Sequence, residues 1–435
     1  MSTTIASPLT LPCGLELPNR IVKAAMTERI ADAANGVTER HVRLYKAWGE
    51  GGSGLHLTGN VQVDRRNLEA PGNVVVDAKP SNEQAAMLAR WAEATKADGA
   101  KVIMQISHAG RQTPKLVNPE PDAPSAVMLG LPGGRFGTPK PMSEDTIRSV
   151  IERFGIVTRA AKEAGFDGVQ LHGAHGYLIS QFLSPIANRR DDQWGGSIEN
   201  RARFLLEAVR ASKAEAGPGF AIGLKLNSSD FQKGGFSEQD STAVVAMLNE
   251  IGLDFLEVSG GTYEQPKMVG AGGVLKEYPD TQRASTKARE AYFLDYAQEV
   301  RGAAQMPLLV TGGFRSTAGM NEALGAGEAD LIGLGRPLCA DPDAPAKLLS
   351  GEWTELPRWE EVLRLGPGFF SKTSPIAMVR MVNIFGGQAW FYTQIQRIAD
   401  GKPTDKKLGL LKAFMAMEGY DAKMAKAYHK ALEAA

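Results

Sequence analysis

Cysteine is nearly absent: Cys13 and Cys339 are the only two in 435 residues. That excludes a disulfide framework, and it excludes an iron–sulfur cluster or structural zinc held by cysteines. No apolar run approaches the roughly 20 residues that a membrane-spanning helix needs. The first residues, Met1 to Pro8, lack the basic and apolar segments of a secretory leader. Neither sign of charge is in excess, because 49 Lys+Arg balance 49 Asp+Glu. Nucleic acid and anionic membrane therefore gain no support as partners. The expectation is a soluble, cytoplasmic protein. With 43% hydrophobic residues the chain can bury a large core, and its length exceeds the usual single domain unless the fold is a barrel.

What is present is a regular alternation. Eight β-rich runs, Arg20–Lys23, Gly54–Thr58, Lys101–Ile106, Gly168–Leu171, Phe220–Leu226, Phe255–Val258, Pro307–Val310 and Asp330–Gly333, are separated by helical patterns. Ser81-Asn-Glu-Gln84 is a capping box leading into Leu88, Trp91, Ala92 and Thr95. Ser143 opens a helix whose apolar face is Ile147, Val150, Ile151, Phe154 and Val157, and Ser237 opens another. Eight strand–helix units predict a (β/α)8 barrel over residues 1–349. A doubly wound sheet would carry G-x-G-x-x-G after its first strand. No strand here leads into one, and Gly270-Ala-Gly-Gly273 lies in a long loop. Residues 350–435 form a helical extension, with Trp390, Phe391, Tyr392, Ile395 and Ile398 on one amphipathic helix. It packs on the barrel, makes a dimer contact, or covers the mouth of the site.

Barrel chemistry sits at the C-terminal ends of the strands. There the chain places Ala24-Ala25-Met26-Thr27, then Gly59, then Gln105, in the first three units. His172, His175 and Tyr177 follow the fourth strand, and Lys225 closes the fifth. Gly312 and Gly313 follow the seventh, and Gly335 and Arg336 the eighth; only the sixth strand delivers nothing evident. Two imidazoles and a phenol at i, i+3 and i+5 suit the polarisation of a carbonyl and protonation of a neighbouring carbon. Glycines and an arginine after the last two strands suit a phosphorylated ligand. The pair His172-x-x-His175 also has metal-ligand spacing, but no third ligand is evidently placed to join it. Asp191, Asp192 and Glu199 beside Arg189, Arg190 and Arg201 read as an ion-pair network shaping the loop. His108 reads as support for the loop after the third strand, and His41, His56 and His429 as surface or packing residues.

The segment from His172-Gly-Ala-His175-Gly-Tyr177 through Phe182-Leu-Ser-Pro185 to Trp194-Gly-Gly-Ser-Ile-Glu-Asn200-Arg201 closely resembles the signature of the old yellow enzyme family. The resemblance covers about 340 residues and touches nearly every strand end. It implies a flavoprotein oxidoreductase with FMN as cofactor and NADPH or NADH as hydride donor, reducing the activated C=C bond of α,β-unsaturated carbonyl compounds. It implies that Ala24, Ala25, Met26 and Thr27 contact the flavin, with the Thr27 hydroxyl on its C4 carbonyl. Gly59 contributes through its backbone, Gln105 bonds the pyrimidine edge, and Lys225 lies near N1 and O2. Gly312, Gly313, Gly335 and Arg336 hold the phosphate. His172 and His175 bind the substrate oxygen, and Tyr177 is the acid. Arg29 replaces an aromatic often found there, which places it in the substrate pocket. Lys225 stands where many relatives carry Arg, so the charge is kept and the bidentate fork lost. Three alternatives remain: a dienoyl-thioester reductase, an amine dehydrogenase without its iron–sulfur cluster, or a non-catalytic flavin-binding protein. The physiological alkene and the oligomeric state are left open, a homodimer being one assembly the sequence allows.

Overall fold

The computed structural model describes residues 2–131, 134–260 and 294–434. The glycine cluster at 270–273 lies outside them.

Eight parallel strands close into the expected barrel: β1 Ile21–Lys23, β2 Leu55–Leu57, β3 Lys101–Ser107, β4 Gly168–Gly173, β5 Ala221–Asn227, β6 Phe255–Ser259, β7 Leu308–Thr311 and β8 Leu331–Leu334. Each pairs with its sequence neighbour, and β8 pairs with β1 to shut the ring. The closure is carried by Ala24 N–H to Leu334 O and Ile332 N–H to Arg20 O, each 2.9 Å. An extra strand, Val61–Gln62, adds to the upper end of β3, and the antiparallel hairpin Leu9–Thr10/Glu16–Leu17 supplies the floor.

Around the ring run α1 Glu39–Gly49, α2 Asn82–Thr95, α3 Glu144–Glu163, a short α4 Leu178–Leu183, α5 Ile198–Ala216, α6 Glu238–Ile251, α7 Leu294–Arg301, α8 Thr317–Gly325, α9 Arg336–Ala340 and α10 Ala344–Ser350. Their starts are set by side-chain caps, which satisfy first-turn N–H groups. Ser81 and Gln84 cap reciprocally, Ser143 accepts from Thr146 N–H, and Ser237 pairs with Asp240. Beyond the ring come α11 Trp359–Val362, α12 Ala377–Ala399 and α13 Leu410–Ala434. Trp390, Ile395, Ala413 and Met417 bury the facing sides of the last two helices. No helix among the described residues is long and apolar enough to cross a membrane.

Strand periodicity sorts the barrel interior into layers. The lowest is apolar: Val22, Leu55, Ile103, Ala221, Phe255, Leu309 and Leu331 cluster with Leu11 and Leu17 of the hairpin. The Phe255 ring fills the centre because β5 offers Gly223 beside it, where an added Cβ would lie 2.2 Å from that ring. Higher up, the inward face turns polar, with Gln105, Gln170, Lys225 and Glu257. The side chains that fix the fold at the bottom of each strand thus give way to a chemical floor at the top.

Candidate active site

That polar layer is one connected chain. Lys225 Nζ donates to Glu257 Oε1 at 2.8 Å. Gln170 Nε2 donates to the other Glu257 oxygen, and Gln105 Nε2 to Gln170 Oε1, both at 2.8 Å. All four residues are buried. The sixth strand, which the sequence leaves without a functional group, in fact supplies Glu257 and Ser259. The reason is visible in hindsight: Glu257 and Ser259 sit two and four residues above Phe255, on the same inward face. A charged residue inside an otherwise apolar parallel strand is the signal that could have found it. Lys225 is therefore not a lone cation; it carries its own counter-ion.

Above this floor β4 lifts the two imidazoles and the phenol together. The His172 and His175 rings lie 5.0 Å apart between centroids, and the His172 and Tyr177 rings 4.7 Å apart, edge to face. All three residues are buried. His175 has a left-handed backbone, φ 61°, an uncommon setting for a non-glycine residue that is found at sites over-determined by their surroundings. Asn227 accepts its N–H at 3.1 Å, Gln112 donates to its carbonyl, and Ser259 Oγ lies 2.7 Å from its Nε2. His172 Nδ1 is buried and makes no well-formed hydrogen bond among the described residues. Burial, then the nearby Lys225 charge, pushes the His172 imidazole down to about 3 and His175 well below the ordinary range. Both are therefore neutral at physiological pH. Among the described residues no group of three or more His, Cys, Asp or Glu could hold a metal ion.

The first strand ends in Ala24, Ala25, Met26 and Thr27, and the Thr27 hydroxyl donates to Asn60 Oδ1 at 3.2 Å. Gly59 lies against this turn, but its N–H is already taken: Glu28 accepts it at 2.8 Å, beside the Tyr45 hydroxyl at 2.9 Å. Tyr45 donates to the same Glu28 carboxylate. Burial raises the Glu28 carboxyl, with Lys23 pulling it back down. Lys23, itself buried over the Trp48 ring at 4.2 Å, is lowered to about 8 by burial. Lys23, Glu28 and Tyr45 are spread over 23 residues, and their spacing along the chain does not announce this cluster.

Arg29 turns toward the extension. Its guanidinium pairs with Asp421 at 2.8 Å and Glu69 at 3.3 Å, and lies 4.6 Å from the Tyr392 ring centroid. The Tyr420 hydroxyl donates to its carbonyl at 2.6 Å. The loop network differs in its pairing: Arg190 holds Asp192, but Arg201 reaches Asp240 on α6 and not Glu199. His108 supports its loop by accepting Gly110 N–H at 3.0 Å. His41 and His56 are buried, and His429 is exposed on α13.

After β7, Gly312 and Gly313 both take positive φ, 113° and 90°. They lead into Arg315, which is buried, while Gly335 opens onto the partly exposed Arg336. Both guanidinium groups meet one carboxylate, Glu360 of α11: Arg315 in direct contact and Arg336 at 3.9 Å. Two guanidinium groups converging on one oxyanion, beside paired glycines, offer a donor set that suits a phosphate monoester. At the His172 end, a buried imidazole nitrogen with no well-formed bond among the described residues and a polar floor suit a flat heteroaromatic ring system. These residues fit FMN: Arg336, Arg315 and the two glycines would hold its phosphate, and Gln105, Lys225 and Thr27 would lie along its ring.

The family model for NADH:flavin oxidoreductases and NADH oxidases matches residues 5–355. The NADH-dependent flavin oxidoreductase nadA of Aspergillus parasiticus is 39% identical over 347 residues, covering 77% of this chain and 76% of that protein. The NADH-dependent flavin oxidoreductase iliE of Neonectria sp. is 40% identical over 365 residues; the match spans 80% of this chain but only 47% of the relative. Among solved structures, morphinone reductase in complex with tetrahydroNAD superposes with a TM-score of 0.65 at 26% identity, covering 81% of this chain and 92% of that one. Layered barrel, paired imidazoles and arginine-held anion site converge on one assignment: the chain belongs to the NADH:flavin oxidoreductase / NADH oxidase family, the FMN-dependent old yellow enzyme type.

Proposed function

We propose that the protein is an ene-reductase, taking hydride from NADH and reducing the C=C bond of an α,β-unsaturated carbonyl compound. The observation that carries this reading is the buried His172–His175–Tyr177 cluster. When bound, FMN supplies a hydride relay between the two substrates, which use the one cavity in turn. The protein's part is to bind, polarise and protonate. Two neutral imidazoles donate N–H to the carbonyl oxygen of the alkene and stabilise the charge that gathers there in the transition state. Being neutral, they do not pre-bind anions strongly, so their contribution grows as the oxygen becomes negative. Tyr177, packed edge-on against His172, delivers a proton to the α-carbon. Ser259 and Asn227 fix the orientation of His175. Lys225 lies below, with Glu257 balancing its charge.

NADH is favoured over NADPH because Arg29 and Arg111, which could hold a 2′-phosphate, are engaged within the protein: Arg29 with Asp421 and Glu69, and Arg111 with Val127 O and Met128 O. The relatives nadA and iliE are also named NADH-dependent. Anaerobic addition of NADH to the yellow protein should bleach the flavin absorbance, and 2-cyclohexenone should restore it. Bleaching that only oxygen reverses would sink the ene-reductase reading and favour an oxidase or a reductase of other acceptors.

A further inference from the structure

The contact between Glu360 and the two arginines has a chemical meaning beyond docking the extension. The 354–356 strand edge is fixed beside the seventh β–α loop, with Thr317 N–H on Thr354 O at 2.9 Å and Leu356 N–H on Arg315 O at 2.7 Å. This anchoring delivers α11 to the anion site, and Glu360 is the residue that enters it. Burial pushes the Glu360 carboxyl up, but Arg336 and Arg315 more than offset this and hold it below the ordinary range. Glu360 is therefore ionised at neutral pH. Lys372 donates to the Glu360 carbonyl. Glu361, the next carboxylate, faces outward to Arg358 at 3.6 Å. Of the two adjacent acids, only Glu360 addresses the buried Arg315.

We propose that Glu360 is a placeholder for the cofactor phosphate: it holds Arg315 and Arg336 together before the flavin arrives and competes with the phosphate for them. The inference rests on FMN being the group that binds. A dianionic phosphate and a carboxylate cannot share two guanidinium groups at a few ångströms without strong repulsion. Binding the phosphate therefore displaces the carboxylate and releases α11 from Arg315. The extension thus sets how tightly the protein retains FMN, and it does so through the phosphate alone, leaving the isoalloxazine contacts untouched.

Titration of the full-length, flavin-stripped protein with FMN and with riboflavin tests this, because riboflavin has the same ring without the phosphate. Glu360→Gln should bind FMN about tenfold more tightly, from removal of one partly screened like charge, and riboflavin with unchanged affinity. Glu361→Gln should leave both affinities at the parent value. Equal or weaker FMN binding by Glu360→Gln would overturn the proposal, because Glu360 would then be a support for Arg315. A parallel gain for riboflavin, or the same gain in Glu361→Gln, would also overturn it by showing a general effect. Failure of the parent chain to bind FMN at all would instead remove the cofactor assignment on which the proposal stands.

Discussion

The floor of the cavity and its wall obey opposite rules. On the floor, Gln105, Gln170, Glu257 and Lys225 spend their polar atoms on one another, each contact at 2.8 Å. On the wall, a buried ring nitrogen of His172 makes no well-formed bond among the described residues, and His175 holds a left-handed backbone. Buried polar atoms are normally satisfied. The floor network is part of the fold, whereas the imidazoles and Tyr177 on the wall stand where the proposed reading puts the substrate oxygen. Damage to the floor should therefore be felt as lost stability and damage to the wall as lost chemistry.

The strongest way to test the contrast is Tyr177→Phe. A missing general acid costs roughly 10²–10⁴-fold, so reoxidation by 2-cyclohexenone should slow by about that factor. Reduction by NADH, which needs no protein proton, should stay near the parent rate. Stopped-flow absorbance at the flavin band follows each half separately, and undiminished enone turnover would make Tyr177 a packing residue. On the floor, Glu257→Gln leaves the Lys225 charge buried with no counter-ion, a change worth about 3–5 kcal/mol of stability. Denaturant unfolding should show that loss. The double variant Lys225→Met, Glu257→Leu should recover much of it, since removing both charges removes the unpaired one.

His172→Ala sharpens the comparison from the other side. It should cost about 2.7–4 kcal/mol in enone reduction while moving the unfolding midpoint little beyond the packing of its ring. A stability loss as large as that of Glu257→Gln would erase the distinction between floor and wall. A smaller effect per residue comes from pH. Burial lowers His41, His56 and His172 to about 3 and His108 to about 4. In the unfolded chain each titrates near 6.5, so below that pH the unfolded state binds protons that the native state refuses. Stability should be complete above about pH 7 and fall steadily as the solution is acidified toward 4. A melting temperature flat from pH 7 to 5 would contradict the buried, neutral assignment. The mildest change is Asp421→Asn, which loosens Arg29 from a partly exposed pair worth under about 1 kcal/mol. Its mark should be a small drop in the unfolding midpoint, with little change in flavin reduction.

Much of the barrel is legible in the sequence because each strand states its own case. Lys101–Ile106 and Phe220–Leu226 are short β-rich runs bounded by turn residues, and Ser81, Ser143 and Ser237 announce the helices that follow. The imidazoles and Tyr177 are legible for the same reason: they are local, within six residues. Glu257 is not, because its meaning depends on Lys225 one strand away and Gln170 two strands away. The direction taken by Arg29 depends on Tyr392, Tyr420 and Asp421, nearly four hundred residues downstream. Gly59 reads as an open backbone amide until the fold brings Glu28 and Tyr45 onto it. Spacing reports what neighbours in the chain do. It is silent on which strands become neighbours in the ring.

The seam between β1 and β8 has a consequence for how the molecule is made. Its two strands are the first and the last of the barrel to leave the ribosome, so β1 waits with an unpaired edge while the intervening strands are synthesised. Such edges are where nascent chains go astray. The hairpin Leu9–Thr10/Glu16–Leu17 offers early shelter, since Leu11 and Leu17 can cover Val22 before β8 exists. The turn that follows β1 waits longer still, because Arg29 finds Asp421 only after the final helix has emerged. The turn after β1 therefore takes its finished shape only once the helix that carries Asp421 has folded back onto it.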